Sequence, residues 1–350
     1  MPNHRPGRGK AANRNALMDT LRLAASFFVV VLHAPLPGAF SEAIRPILRC
    51  AVPFFFMVSG YWLADSDTQR MRARMDKQAK KMALLLAACC AAFFAMHVGY
   101  SVFIERAGFL APLHALLDLR ALGSFFLFNN TNLFWPGGSA HLWFLAALLY
   151  VLFLLRFLLK KIPLRRIYIL IPVLLAIAVP LAMFSSRTVE GVQERDMVTR
   201  NFLFTGLPCV LAGMWLRQHE DRLKRLPDWA VLLLPLVFAG LCVLERNSIL
   251  RNAFGLSRIL FAASLVLLSM RFPAFTAKTP LPRWGERYSL MVYIAHYPIV
   301  SALKWLVSRG LPELALRWGG AAIAFALALG FAVLWYHIKD KFLRRTKEHA

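Results

Sequence analysis

Arg22 and His33 stand eleven positions apart in the first long apolar stretch of this 350-residue chain. At 100° per residue, eleven steps return a helix to within about 20° of its start and advance it roughly 16 Å. The two side chains therefore share one stripe, about half a bilayer apart. An ionisable side chain at the centre of a membrane helix costs on the order of 2.5–3.5 kcal/mol, so such a residue marks a functional site by default. A guanidinium suits a planar, bidentate grip on an anionic group. An imidazole near its natural pKa can take a proton from a hydroxyl or carry a group covalently. Asp19, three residues before Arg22, is spaced to pair with it on one face. A plainer alternative stands beside this: Arg22 snorkels to nearby headgroups and His33 only caps the far end of the helix.

Other polar residues inside apolar runs extend the set. Pro53 and Gly60 bracket a stretch with Ser59 near its end; these residues either free backbone groups for chemistry or serve packing and bending. Directly after it, Arg70, Arg72, Arg74, Lys77, Lys80 and Lys81 form a cationic cluster. That cluster can clamp a phosphate-rich ligand such as coenzyme A, or serve topology and anionic-lipid contact. His141 opens a later span beside Trp143, a pairing that suits a sugar ring or an interfacial anchor. His296 lies roughly 13 Å into its span, deep for an anchor; a histidine bonded to a backbone carbonyl is the competing account.

These residues need a membrane scaffold to position them, and composition supplies one. Apolar residues make up 59% and charged residues 17% of the chain, values foreign to an ordinary soluble domain. The net charge of +24 falls in clusters between apolar runs and not along one soluble face, which argues against nucleic acid as a partner. Cys50, Cys89, Cys90, Cys209 and Cys242 show no metal-binding or disulfide spacing and read as small hydrophobes. Runs of 17–25 apolar residues predict an all-α polytopic bundle of about ten transmembrane helices, near 17–36, 46–64, 82–104, 141–159, 167–185, 201–216, 229–244, 253–270, 288–308 and 314–338. Alternating the connections collects the basic segments 5–14, 70–81, 156–166, 217–225, 271–287 and 339–347 on one face, so the positive-inside rule places both termini in the cytoplasm. The 105–140 segment, with Phe125, Phe126, Phe128, Phe134 and Trp135, is expected to lie on or dip into the opposite interface, since irregular backbone at membrane depth needs protein or water to cover it. The division expected is a basic tail over 1–15 and one transmembrane domain over 16–345.

Four motifs, in order, carry a resemblance. They are Asp19-x-x-Arg22 with His33 following, the run Val52-Pro53-Phe54-Phe55-Phe56-Met57-Val58-Ser59-Gly60-Tyr61, His141-Leu142-Trp143-Phe144-Leu145, and Ser289-Leu290-Met291-Val292-Tyr293-Ile294-Ala295-His296-Tyr297-Pro298. The chain resembles an integral-membrane acyltransferase of the acyltransferase 3 family over nearly its whole length. The resemblance implies transfer of an acyl group, acetyl by default, from cytoplasmic acyl-CoA to a hydroxyl of a glycan or lipid-linked glycan at the outer membrane face. It implies Arg22 and His33 as the essential pair, and Arg70, Arg72, Lys77, Lys80, Lys81 and Ser59 on the donor side. Asp19, His141, Trp143, Tyr293 and His296 are the supporting or acceptor-side candidates. The stretch from Lys77 to Lys81 uses lysine where many relatives use arginine. No metal and no tightly bound cofactor is expected; acyl-CoA enters as substrate. The lipid bilayer and envelope-glycan assembly proteins are the partners implied, and a bacterial inner membrane the location. Glu42 and Glu105 are candidate carboxylates for His33. A transporter with an in-membrane His/Arg pathway is the alternative, although neither an inverted repeat nor paired broken helices are visible.

Overall fold

The computed structural model describes residues 15–136, 138–188, 198–246, 255–310 and 313–348. The basic tail, most of the 187–200 connection and most of the 245–251 connection lie outside the described residues. Every regular element described is helical: α1 Ala16–His33, α2 Gly38–Leu48, α3 Ala51–Leu63, α4 Thr68–Tyr100, α5 Leu110–Leu117, α6 Leu119–Phe128, α7 Trp143–Leu158, α8 Leu164–Ile167, α9 Leu170–Thr188, α10 Leu207–Gln218, α11 Glu220–Leu223, α12 Asp228–Arg246, α13 Leu256–Arg271, α14 Leu281–Ser308 and α15 Glu313–Glu348. The chain is an all-α polytopic membrane protein.

All ten predicted segments are helical, and eight helices among the described residues are long and apolar enough to cross a membrane. The other two are α13, with 16 residues, and the 12-residue α10 with its preceding π turn Phe202–Gly206. At 1.5 Å per residue α13 reaches only about 24 Å, short of a hydrocarbon core of roughly 30 Å. Both are held by protein, since α10 and α13 both pack on α3. The 105–140 segment, expected at the interface, is in large part helical. It forms α5 and α6, bent by 56°, because helix is the local way to satisfy backbone N–H and C=O groups away from water. Leu119, Phe126 and Leu127 on it are exposed.

Aromatic and aliphatic side chains of α3, Phe54, Phe56 and Met57, fill the centre of the bundle with Leu145, Leu148 and Leu152 of α7. In lipid, helices gain by backbone proximity and close packing more than by hydrophobic transfer, so small residues mark their seams. Gly60 of α3 lies against the carbonyl oxygen of Val210, and Gly213 of α10 lies against that of Met57. A Cβ at either place would collide with backbone. Gly285 of α14 lies in the same way against the carbonyl oxygen of Asp19 on α1.

The start of α1 is tied down as well. Asn15 caps the helix by accepting the Met18 N–H at 2.9 Å and donates its side-chain amide to the Ser269 carbonyl at 2.8 Å. The Leu17 N–H reaches the Pro273 carbonyl. The other end is set by sequence: Pro35 disfavours helical backbone at Ala34, which lies at φ −123° and ψ 72°, and Pro37 follows. Hence α1 stops at His33, three residues short of the predicted limit, and places the imidazole at the helix terminus.

The glycine seams give a stability test. Gly213→Ala should destabilise the purified protein by about 1–3 kcal/mol through overpacking, read as a lower Tm in detergent. Gly240→Ala, with nothing within 4 Å of the added Cβ, should leave Tm unchanged or slightly raised.

Candidate active site

Three separate segments bring three imidazoles together. The His33 ring, at the end of α1, lies 5.2 Å from that of His296 and 4.9 Å from that of Tyr297, centroid to centroid. His141, in the 3₁₀ turn Ala140–Leu142 that leads into α7, lies 5.1 Å from His296. It stacks on Tyr297 at 5.2 Å with 7° between planes. Phe93 of α4 closes another side, 5.2 Å from His141. His141 and His296 are buried, and His33 is half-buried.

Backbone carbonyls decide the tautomers of the two buried rings, because a carbonyl oxygen only accepts. His141 donates from Nε2 to the Ile294 carbonyl at 3.1 Å, which leaves Nδ1 as the lone-pair nitrogen. His296 donates from Nδ1 to the Tyr293 carbonyl at 2.5 Å, which leaves Nε2. Those two nitrogens, His141 Nδ1 and His296 Nε2, are buried without a hydrogen-bond partner. Such orphans are rare in folded proteins and need an explanation. A bound hydroxyl or water would supply one, since either can donate to a ring lone pair. Each of these two nitrogens can accept a hydrogen bond.

The segment before His141 holds it rigidly. Thr131 donates to the Ser139 carbonyl at 2.7 Å, and Ser139 donates back to the Thr131 carbonyl at 2.5 Å. Asn129, in left-handed backbone with φ of 60°, accepts the Phe202 N–H at 2.9 Å. Tyr293 donates its hydroxyl to the His141 carbonyl, so α14 fixes the turn from the other side. Trp143 is buried, and the Arg200 guanidinium sits 5.2 Å over its ring, within electrostatic reach of His33 and Tyr293.

Arg22 lies at the opposite end of α1. Its guanidinium pairs with Asp19 at 3.3 Å, with the arginine side chain 24% exposed and the carboxylate side chain 6%. Between Arg22 and His33 the shared stripe passes through Ser26, Val29 and Val30, all buried. It faces protein, not lipid. Val30 packs with Val292 and Val300 of α14, and Ser26 donates to the Leu23 carbonyl of its own helix, so the part of the interval nearer His33 is filled by apolar side chains.

The expected donor-side residues do not converge on the histidines. Arg70 pairs with Asp67 at 3.3 Å, and Lys77, Lys80 and Lys81 are exposed along the first half of α4. Arg72 is half-buried with Nε unpartnered. Ser59 donates to the Phe55 carbonyl at 2.9 Å, a contact within its own helix. Arg74 closes the α3–α4 turn, reaching Asp65 at 2.7 Å and the Ala64 carbonyl at 3.1 Å. The Asp67 N–H and Arg74 hold the Asp65 carboxyl below its usual range. A second knot joins Tyr61, the last residue of the second motif, to Arg217 and Glu220, with Lys224 on Glu220 at 2.6 Å. Burial pushes the Glu220 carboxyl up, but Lys224, Arg217 and Tyr61 together bring it below its ordinary value.

Of the candidates for supporting His33, Glu42 is engaged by Arg45 at 3.7 Å and Arg246 at 3.0 Å, and Glu105 is exposed. The rings of His296 and Tyr297 are what His33 meets. Tyr297 and Arg200 were missed from the sequence. Tyr297 adjoins His296 in a quoted motif, a signal available beforehand, whereas Arg200 sits in a mixed-charge connection with nothing to distinguish it. Among the described residues no group of three or more His, Cys, Asp or Glu is arranged to hold a metal ion.

A family model described as an acyltransferase domain matches residues 15–337. No curated protein and no solved structure matches the chain.

Tyr293→Phe removes the hydroxyl that serves the His141 carbonyl and leaves that buried acceptor unsatisfied. The expected cost is about 1–3 kcal/mol, seen as a lower Tm with the fold retained. An unchanged Tm would mean that the hydroxyl does not hold the turn.

Proposed function

As the chain belongs to the acyltransferase 3 family and is a multi-pass membrane acyltransferase, we propose that it transfers an acyl group, acetyl in the first instance, from acyl-CoA at the basic face to a hydroxyl of a glycan or lipid-linked glycan at the opposite face. The basic face is the cytoplasmic one and holds both termini, in accord with the positive-inside rule; a bacterial inner membrane suits this arrangement.

The observation that carries the reading is the junction of His33 with two buried imidazoles whose free nitrogens are unpartnered. In this proposal His33 takes the acceptor O–H proton as the oxygen attacks the thioester carbonyl. The C–O bond forms, the C–S bond breaks, and coenzyme A leaves as thiol once protonated. A positioned base of this kind contributes roughly a hundredfold or more. His141 and His296, with tautomers fixed by carbonyls, orient the acceptor hydroxyl and keep the local lone pairs in place. Arg22, with Asp19 beside it, stands on the donor side, and the cations of α4 from Arg70 to Lys81 meet the phosphates of coenzyme A. Histidines gathered at one end of α1 support transfer over a transport pathway, which would need polar groups strung through the interval that Val29 and Val30 fill.

The test is acceptor-dependent release of free thiol from acetyl-CoA by the protein in proteoliposomes, with mass spectrometry of surface glycans from cells with and without the gene to identify the ester. His33→Ala should lower turnover by roughly a hundredfold or more while membrane insertion stays near normal; wild-type turnover would refute the base assignment. Arg22→Lys keeps the charge but loses the planar fork, and its turnover should fall as well. Full activity in that variant would leave Arg22 a topological role only.

A further inference from the structure

A cavity of about 500 Å³ opens where α1 ends. Its wall includes Ala34 and Pro37, the residues that follow His33, together with Val300 and Leu303 of α14, and it carries two cations, Lys304 and Arg317. The volume lies in the range of small-ligand sites, roughly 300–1,000 Å³, which are mostly apolar with a few placed polar groups. Tyr297, Val300 and Lys304 follow one another at helical spacing on a single face of α14. Tyr297 touches the His33 ring, and Lys304 stands about 10 Å further along, within electrostatic reach of His33. Among the residues whose side chains are described, no carboxylate pairs with Lys304 or Arg317.

Lys304 and Arg317 are both exposed at this cleft, and two cations beside one apolar wall attract an anionic group to it. Given the transferase reading, on which this rests, we infer that the acceptor carries an anionic group, a phosphate or a carboxylate, held by Lys304 and Arg317 while the hydroxyl to be acylated reaches His33. The apolar wall takes the sugar face or the start of a lipid chain. The cations act as a selectivity filter: a neutral acceptor fits the cleft but gains no ion pair there.

An anionic lipid headgroup has the same chemistry, so the experiment separates the two sources. The full-length protein is placed in phosphatidylcholine nanodiscs. Equilibrium binding is measured for hexyl glucoside, hexyl glucuronide and hexyl glucoside 6-phosphate, and repeated with phosphatidylglycerol included. The inference predicts that an anionic probe binds about tenfold tighter or better than the neutral one, with or without phosphatidylglycerol. The Lys304→Gln/Arg317→Gln protein should lose the difference, and the Lys304→Arg/Arg317→Lys protein should keep it. Equal binding of all probes, no binding of either anionic probe, or a preference that survives the glutamine pair overturns the inference. A preference abolished by phosphatidylglycerol assigns the cations to a headgroup and overturns it too. Acceptor-dependent thiol release, read on the same samples, is a separate result. Its absence refutes the transferase reading, whereas its presence without an anion preference refutes only the anion site.

Discussion

The seam between α1 and α14 governs both ends of the site. At one end Gly285 lets the α14 backbone approach the Asp19 carbonyl, one turn from Arg22. In the middle Val30 packs on Val292 and Val300. At the other end the His33 ring meets His296 and Tyr297. Small residues permit such proximity where lipid offers no hydrophobic drive to association. Because apolar packing fills much of the seam between its ends, the spacing of the two candidate groups is that of a packed helix pair.

Polar groups within the membrane then have to find partners in protein, and this requirement shapes the histidine cluster. The Tyr293 hydroxyl serves the His141 carbonyl, His141 serves the Ile294 carbonyl, and His296 serves that of Tyr293. One turn of α14 therefore receives and orients the 3₁₀ turn before α7. After those bonds are made, His141 Nδ1 and His296 Nε2 remain. Fully paired imidazoles would read as structure; two with the same face of their chemistry unspent, beside a third at the rim, read as a site. The cleft beyond His33, with Lys304 and Arg317 on its wall, adjoins that cluster.

Much of this was legible in the residues. The apolar runs located all ten helical segments, the 100° rotation placed Arg22 and His33 on one stripe, and three-residue spacing paired Asp19 with Arg22. The meeting of His33, His141 and His296 could not be read by spacing, since it joins positions more than a hundred residues apart through tertiary packing. The termination of α1 was visible in Pro35 but was set too late. Periodicity also did not show that α10 and α13 are shorter than the other helices, because a helix enclosed by neighbours need not be long enough to meet water at both ends. The bend between α5 and α6 hid in an apolar segment whose aromatic content suggested an interface without specifying backbone. The roles of Lys304 and Arg317 depend on a cleft between helices, which no one-dimensional pattern reports.

The account turns on a reaction that spans the bilayer, with donor and acceptor entering from opposite faces. Sealed proteoliposomes carrying the protein in one orientation, assigned by protease access to a tag at the C-terminus, test this directly: radiolabelled acetyl-CoA is supplied on one side and acceptor glycan on the other. Label should reach the glycan only when acetyl-CoA is on the side of the basic face and the glycan on the side of His33. Equal labelling with both substrates confined to one face would contradict the account.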